Sequence, residues 1–193
     1  MRRPVALVIF AVIPLVAGCQ PQAAQDTKFL ISPGGGIGSV RIGMPMSDAT
    51  RVLGPPKSTR GGTGGETFYA WFDTADSTAQ GLYVVALADH VIRAGVHYDP
   101  LYVTPVGLRT GVNEGQVESA MGEPSRVVSY GPEAHGLVYN NLGIGFTIID
   151  GPRARGYRTV AEIDVFGPQQ WKWGRTSREG MGPYIAGTAG VHK

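Results

Sequence analysis

The feature that most limits how this chain can fold is an internal recurrence. The segment from Val40 to Pro56 returns in altered form from Leu108 to Pro124. Arg41 and Arg109, Gly43 and Gly111, Gly54 and Gly122, and Pro56 and Pro124 all keep one spacing (109 − 41 = 68). Self-similarity at a fixed period marks a supersecondary unit used more than once.

Each copy encodes a short helix with its ends marked. In the second, Asn113 is placed to accept from free first-turn N–H groups, and Gln116 completes a capping box. The first copy has Pro45 at a first-turn position that tolerates the missing N–H. The apolar face at i, i+3, i+4 is Ala49, Val52 and Leu53 in one helix and Val117, Ala120 and Met121 in the other. Gly54 and Gly122 follow where a left-handed residue ends a helix, and Pro56 and Pro124 prevent continuation. Helices this short are marginal alone, so both must pack on something.

Strand-like stretches follow each helix: residues 67–73, 81–88 and 90–98 after the first, and 136–140, 142–150 and 158–166 after the second. The segments 75–80 and 152–156 read as turns, and 60–65 as a flexible glycine loop. Alternation places Phe68, Ala70, Phe72, Leu82, Val84, Ala86, Ile92, Ala94 and Val96 on a core face, matched by Ile144, Phe146, Ile148, Ala161, Ile163 and Val165. The expected fold class is α+β: two tandem repeats, each a short helical layer packed on a small antiparallel sheet of three or four strands. The opposite face then carries Tyr69, Trp71, Tyr83, Arg93 and His97, with Tyr139, Glu162, Asp164 and Phe166. Aromatic residues on such a surface are either cross-strand pairs or anchors for a partner.

The N-terminus reads as an export signal. Arg2 and Arg3 precede an apolar run from Val5 to Val16, then Ala17 and Gly18 lead into Cys19, the sole cysteine. The run is too short for a bilayer-spanning helix, which needs roughly 20 residues. Residues 1–18 are thus a lipoprotein signal peptide, and Cys19 receives a covalent lipid whose acyl chains hold it to a membrane. Gln20 stands where Asp would favour inner-membrane retention, so by resemblance to Gram-negative sorting the address is the periplasmic side of the outer membrane. The expected organisation is signal peptide 1–18, polar disordered tether 19–28, repeats 29–103 and 104–166, and an irregular tail 167–193 with Trp171 and Trp173. Without Arg2 and Arg3, the 17 basic residues become 15 against 15 acidic ones. A neutral chain gives no support to a nucleic-acid partner.

The residues Gly43, Met44, Ala49, Leu53, Gly54 and Pro56, echoed by Gly111, Val117, Met121, Gly122 and Pro124 and set behind a lipobox, resemble the SmpA/OmlA (BamE) type of outer-membrane lipoprotein. In tandem the pattern resembles the β-lactamase inhibitor protein fold. That resemblance implies a helical layer over one face of an antiparallel sheet, twice, across residues 29–166. The second copy departs from it at Val112, and Gly115 weakens the second helix by about 1 kcal/mol relative to Ala.

Chemistry is sparse. His90 and His97 are seven apart on one strand and point to opposite faces, and His135 and His192 add no cluster, so no metal is expected. The glycine runs 34–38 and 61–65 lack a P-loop lysine and read as loop punctuation. No serine stands in a Gly-x-Ser-x-Gly elbow. Asp89, Asp99, Asp150, Glu162 and Asp164 are expected on a solvated face rather than as an acid–base pair. The chain is therefore expected to be no enzyme and to carry no cofactor beyond the lipid on Cys19. It is read as a protein-binding or envelope-assembly module for an unidentified envelope protein. The alternative is an inhibitor of a periplasmic hydrolase, a β-lactamase or cell-wall enzyme, using the loop from Arg60 to Glu66.

Overall fold

The computed structural model describes residues 27–76, 78–150 and 158–169. The signal peptide, Cys19, the tether up to residue 26, the turn 152–156 and the tail beyond residue 169 lie outside the described residues.

Helix α1 (Met46–Leu53) and helix α2 (Glu114–Met121) are each eight residues long. At α2 the Asn113 side chain accepts from the Gln116 N–H at 2.9 Å, and the Asn113 N–H donates to the Gln116 side-chain oxygen at 2.9 Å. Both helices stop at a glycine with positive φ, 79° at Gly54 and 78° at Gly122, a region that a β-carbon makes costly. Only part of each expected apolar face is used. Ala49 and Val117 are fully buried, Leu53 and Met121 lie against the core, and Val52 and Ala120 face solvent.

Eleven strands are described. Three very short ones, β1 (Ile31–Ser32), β2 (Gly36–Ile37) and β3 (Val40–Arg41), make a small sheet ahead of α1. The others are β4 (Ser58–Gly61), β5 (Glu66–Ala70), β6 (Gly81–Leu87), β7 (His90–His97), β8 (Arg126–Ser129), β9 (Ala134–Tyr139), β10 (Ile144–Ile149) and β11 (Thr159–Phe166). They form one antiparallel sheet of eight strands in the order β4-β5-β6-β7-β11-β10-β9-β8. This corrects the expectation of two small repeats with separate sheets. Strand β7 pairs with β11 along five residues, from Glu162 opposite His97 to Phe166 opposite Arg93, and this seam fuses everything into one sheet. The architecture is α+β with two helices, a three-stranded sheet and this eight-stranded sheet.

The approach to each helix is pinned to a strand near the seam. Gly43 N–H donates to Val91 O at 2.7 Å and Val91 N–H to Met44 O at 2.9 Å. Gly111 N–H donates to Val160 O, and Val160 N–H to Val112 O, both at 2.8 Å. The helix ends are tied down as well. Trp71 Nε1 donates to Gly54 O at 3.0 Å, and the Tyr139 hydroxyl donates to Gly122 O at 2.9 Å. Each aromatic ring thus satisfies a carbonyl that the helix terminus leaves free.

The main core lies between the helices and one side of the sheet. It joins Ile31, Ile37 and Val40 of the small sheet and Ala49 and Val117 of the helices to Val84, Ala94, Val96, Phe146, Ile148 and Ile163. Placing Phe68, Ala70 and Phe72 with this set is corrected. They pack with Tyr83 and Val85 on the other side, because Phe68 is opposite Val85 and Tyr69 opposite Val84. Two further residues change sides at bulges. The register shift between Val85 and Ala86 sends Ile92 to the far side, and the one between Thr147 and Ile148 does the same for Ala161. Among the described residues, no helix is long and apolar enough to cross a membrane.

Candidate functional site

The residues expected on an open sheet face divide into two groups, and that face is corrected. Tyr69, Trp71 and Tyr139 lie on the helix side, where Trp71 and Tyr139 serve the helix ends. Tyr83, Arg93, His97, Glu162, Asp164 and Phe166 do share the opposite side, around the β7–β11 seam. They are buried rather than exposed: His97 and Glu162 are at 0 %, and Arg93 and Asp164 at 5 %, of full exposure. Aromatic rings close over them, with Phe72 stacked on His97 at 5.5 Å between centroids and Tyr98 edge-on at 4.4 Å.

Strand register builds this cluster. Tyr83, Gly95 and Asp164 are direct partners in one row across β6, β7 and β11. Gly95 offers no side chain between the other two, so the Tyr83 ring lies across it and the hydroxyl donates to Asp164 Oδ1 at 2.5 Å. A β-carbon at Gly95 would sit 2.2 Å from Tyr83 Cζ. The neighbouring row brings His97 opposite Glu162, with His97 Nδ1 at 2.9 Å from Glu162 Oε1. Arg93 sits 3.6 Å from Asp164 Oδ1, and its guanidinium lies 5.7 Å from the centre of the Tyr83 ring. Gly136 repeats the device on β9, where the Tyr130 hydroxyl comes within 2.8 Å of a would-be β-carbon.

Burial sets the electrostatics. Asp164 is pushed up to about 6, chiefly because removal from water penalises its charged form; Glu162 adds to this, while Arg93 and the Tyr83 hydroxyl oppose it. Burial also raises the Tyr83 and Tyr130 hydroxyls, helped in each case by the Asp164 charge. For Arg93, burial acts against the charge, and the Asp164 and Glu162 carboxylates outweigh it and hold the guanidinium protonated.

A pH dependence follows. Native Asp164 keeps its proton up to about pH 6, whereas an ordinary aspartate loses it near 3.8. Between those values the folded state binds more protons, so raising the pH lowers the stability contributed by this residue, and the contribution levels off above about 6. Urea unfolding midpoints of the parent and Asp164→Asn across pH 4 to 8 check this. The difference between their slopes is expected to be confined to that window, and parallel curves would refute the assignment.

The other polar residues singled out are placed elsewhere. Asp150 and Glu114 both bind Arg158, at 3.1 and 3.2 Å, and Glu114 also meets His135 Nε2 at 2.8 Å. Asp89 and Asp99 lie in turns; Asp89 has positive φ, and the Asp99 side chain accepts from Leu101 N–H at 3.1 Å. Among the described residues no group of three His, Cys, Asp or Glu side chains is placed to hold a metal ion. The sealed cluster was only half legible in sequence. The seam pairing β7 with β11 follows from the order of eight strands, and no local pattern carries that information.

No family model and no curated protein matches the chain. Solved structures do, two bacterial proteins among them. One is described as a cysteine-rich secretory protein from Staphylococcus aureus subsp. aureus Mu50, with 12 % identity, a TM-score of 0.46, and coverage of 70 % of this chain and 47 % of that one. The other is an extracellular protein containing a SCP domain from Bacillus anthracis str. Ames, with 11 % identity, a TM-score of 0.44, and coverage of 66 % and 44 %. The chain spans less than half the length of each. The expected kinship with SmpA/OmlA (BamE) lipoproteins and with the β-lactamase inhibitor fold is corrected: no family model and no curated protein matches, and these two solved structures are described as a secretory and an extracellular protein.

Proposed function

We propose that the chain is an exported bacterial lipoprotein, held through Cys19 to the periplasmic side of the outer membrane, whose folded part is a binding module for another envelope protein. The observation that carries the anchoring is the run from Val5 to Gly18 ending at the sole cysteine, with Gln20 behind it. The buried cluster supports binding over catalysis. Its charged groups are spent on one another inside the sheet, and a partner meets hairpin tips and loops instead.

Replacing Cys19 by Ser is expected to move the protein from the membrane fraction to the soluble periplasmic fraction and to abolish incorporation of labelled palmitate. Retention in membranes with unchanged labelling would count against the anchor. For the binding role, the lipidated protein is cross-linked in intact cells and captured from membranes. A stoichiometric envelope partner supports the module, and recovery of the chain alone counts against it.

One observation favours a second reading, inhibition of a periplasmic hydrolase. The 60–66 segment is not a loose loop: β4 and β5 form a hairpin closed by Gly62 N–H to Glu66 O at 2.7 Å, with Gly64 and Gly65 exposed at its tip. Assays of the mature protein against β-lactamases and cell-wall hydrolases test it, and absence of inhibition at micromolar concentration removes it.

A further inference from the structure

The chain's N-terminal lead-in docks beside the most exposed large hydrophobic side chain among the described residues. Val103 N–H donates to Phe29 O at 3.0 Å and Ile31 N–H donates to Val103 O at 2.8 Å, while Leu30 and Val103 form a parallel bridge. The pairing ends there, because Thr27–Phe29 is a short 3-10 turn that leads the chain into the bridge. The Phe29 and Tyr102 rings meet edge to face at 5.4 Å and fix this register. Leu101, the residue before Tyr102, is 64 % exposed. Three residues beyond Val103 a second apolar tip, Val106 at 58 % exposure, stands on a turn closed by Gly107 N–H to Thr104 O at 2.9 Å. Lys28, one residue before Phe29, and Arg109, three residues after Val106, are exposed, and the Asp99 carboxylate accepts from Leu101 N–H at 3.1 Å.

From Cys19 to Thr27 is only eight residues (27 − 19 = 8). Fully extended they reach about 28 Å, so a lipid on Cys19 keeps the side of the fold that carries Thr27 close to the bilayer. We infer that Leu101 and Val106, flanked by Lys28 and Arg109, form the membrane-facing contact of the folded part and seat against an anionic phospholipid surface. The apolar tips enter the interfacial layer, and the two basic side chains meet headgroup phosphates. The inference rests on the lipid anchor proposed above. It adds an orientation: this loop faces the membrane, whereas the outer strand β8 lies four strand spacings from β7 in the sheet order.

Site-specific labelling tests it. Lipidation consumes the thiol of the sole native cysteine, so Leu101→Cys, Val106→Cys and, as a comparably exposed control, Val127→Cys each introduce one free thiol. Each full-length lipidated variant is labelled with an environment-sensitive fluorophore and reconstituted into vesicles of phosphatidylethanolamine and phosphatidylglycerol carrying a nitroxide-labelled lipid. Labels at 101 and 106 are expected to shift to the blue and to lose emission to the nitroxide, with the label at 127 unchanged. If the protein floats with the vesicles and labels at 101 and 106 behave like that at 127, the orientation is overturned while the anchor stands. If the lipidated protein does not float with the vesicles, the anchor fails and the orientation with it.

Discussion

Replacing Arg93 by Met is expected to cost about 3–5 kcal/mol of folding stability at neutral pH, the range found when one partner of a buried ion pair is removed. Met keeps much of the side-chain volume, so the loss comes from charge. Asp164 and Glu162 both lie within the field of the guanidinium, and both are buried almost completely. Without Arg93, the positive charge that opposes the burial penalty on Asp164 is gone, and its carboxyl is driven further toward the neutral form. The loss is therefore expected to shrink as the pH falls and protonation removes the buried charge. Urea denaturation of parent and variant at pH 7.5 and pH 5 measures both quantities. A loss below 1 kcal/mol, or one that grows at pH 5, would show that the guanidinium does not hold this cluster together.

The second large effect is expected at Gly95→Ala. A single methyl there meets Tyr83 Cζ at 2.2 Å and the hydroxyl oxygen at 2.4 Å, well inside contact distance. The tyrosine has nowhere easy to go. Its ring stacks on Phe68 with centroids 5.2 Å apart, lies under Arg93, and ends in the hydrogen bond to Asp164. Overpacking a tight site costs about 1–3 kcal/mol, and displacing the hydroxyl from Asp164 adds about 1.5–3 kcal/mol for a hydrogen bond to a charged group. The comparison that isolates the cause is a double-mutant cycle. In a Tyr83→Ala background the added methyl has room, so Gly95→Ala is expected to cost little there. Equal costs in the two backgrounds would mean that the glycine is needed for some reason other than the ring that crosses it.

Most of the longer strands were legible in the sequence, and their sides only in part: Leu82, Val84, Ala86, Ala94, Val96, Ile144, Phe146, Ile148, Ile163 and Val165 do share one core, whereas Phe68, Ala70, Phe72, Ile92 and Ala161 do not join it. Runs such as Leu82 to Ala86 and Ile144 to Ile149 are apolar enough to declare themselves, and the caps at Asn113, Gly54 and Gly122 mark the helices. Strands β4 and β8 escape because Ser-Thr-Arg-Gly and Arg-Val-Val-Ser carry too little hydrophobic pattern, and the last two residues of the first overlap the 60–65 glycine segment. The sides failed for a different reason. Alternation identifies a buried side only when the other side meets water, and here both sides of the central strands are buried. Phe68, Ala70 and Phe72 looked like core, and so they are, but on the side away from the helices. Trp71 and Tyr139 looked like contact residues and instead each binds a helix-terminal carbonyl. The bulges at Val85 and Thr147 shifted the alternation within β7 and β11, which no count by twos could anticipate.

The middle of the eight-stranded sheet is completed by the last of the described strands, β11. Until Thr159–Phe166 is available, β7 has a bare edge and Arg93 and His97 lack the carboxylates of Glu162 and Asp164. Contacts that span so much sequence slow folding because a long loop must close before they form. A chain cut before Thr159 should thus lose far more than one strand: in the first half Arg93 would lose two of its carboxylates, and the second half would have no neighbour at its inner border. Cellular quality control would meet such a truncation as a failed fold, not as a shorter but working protein.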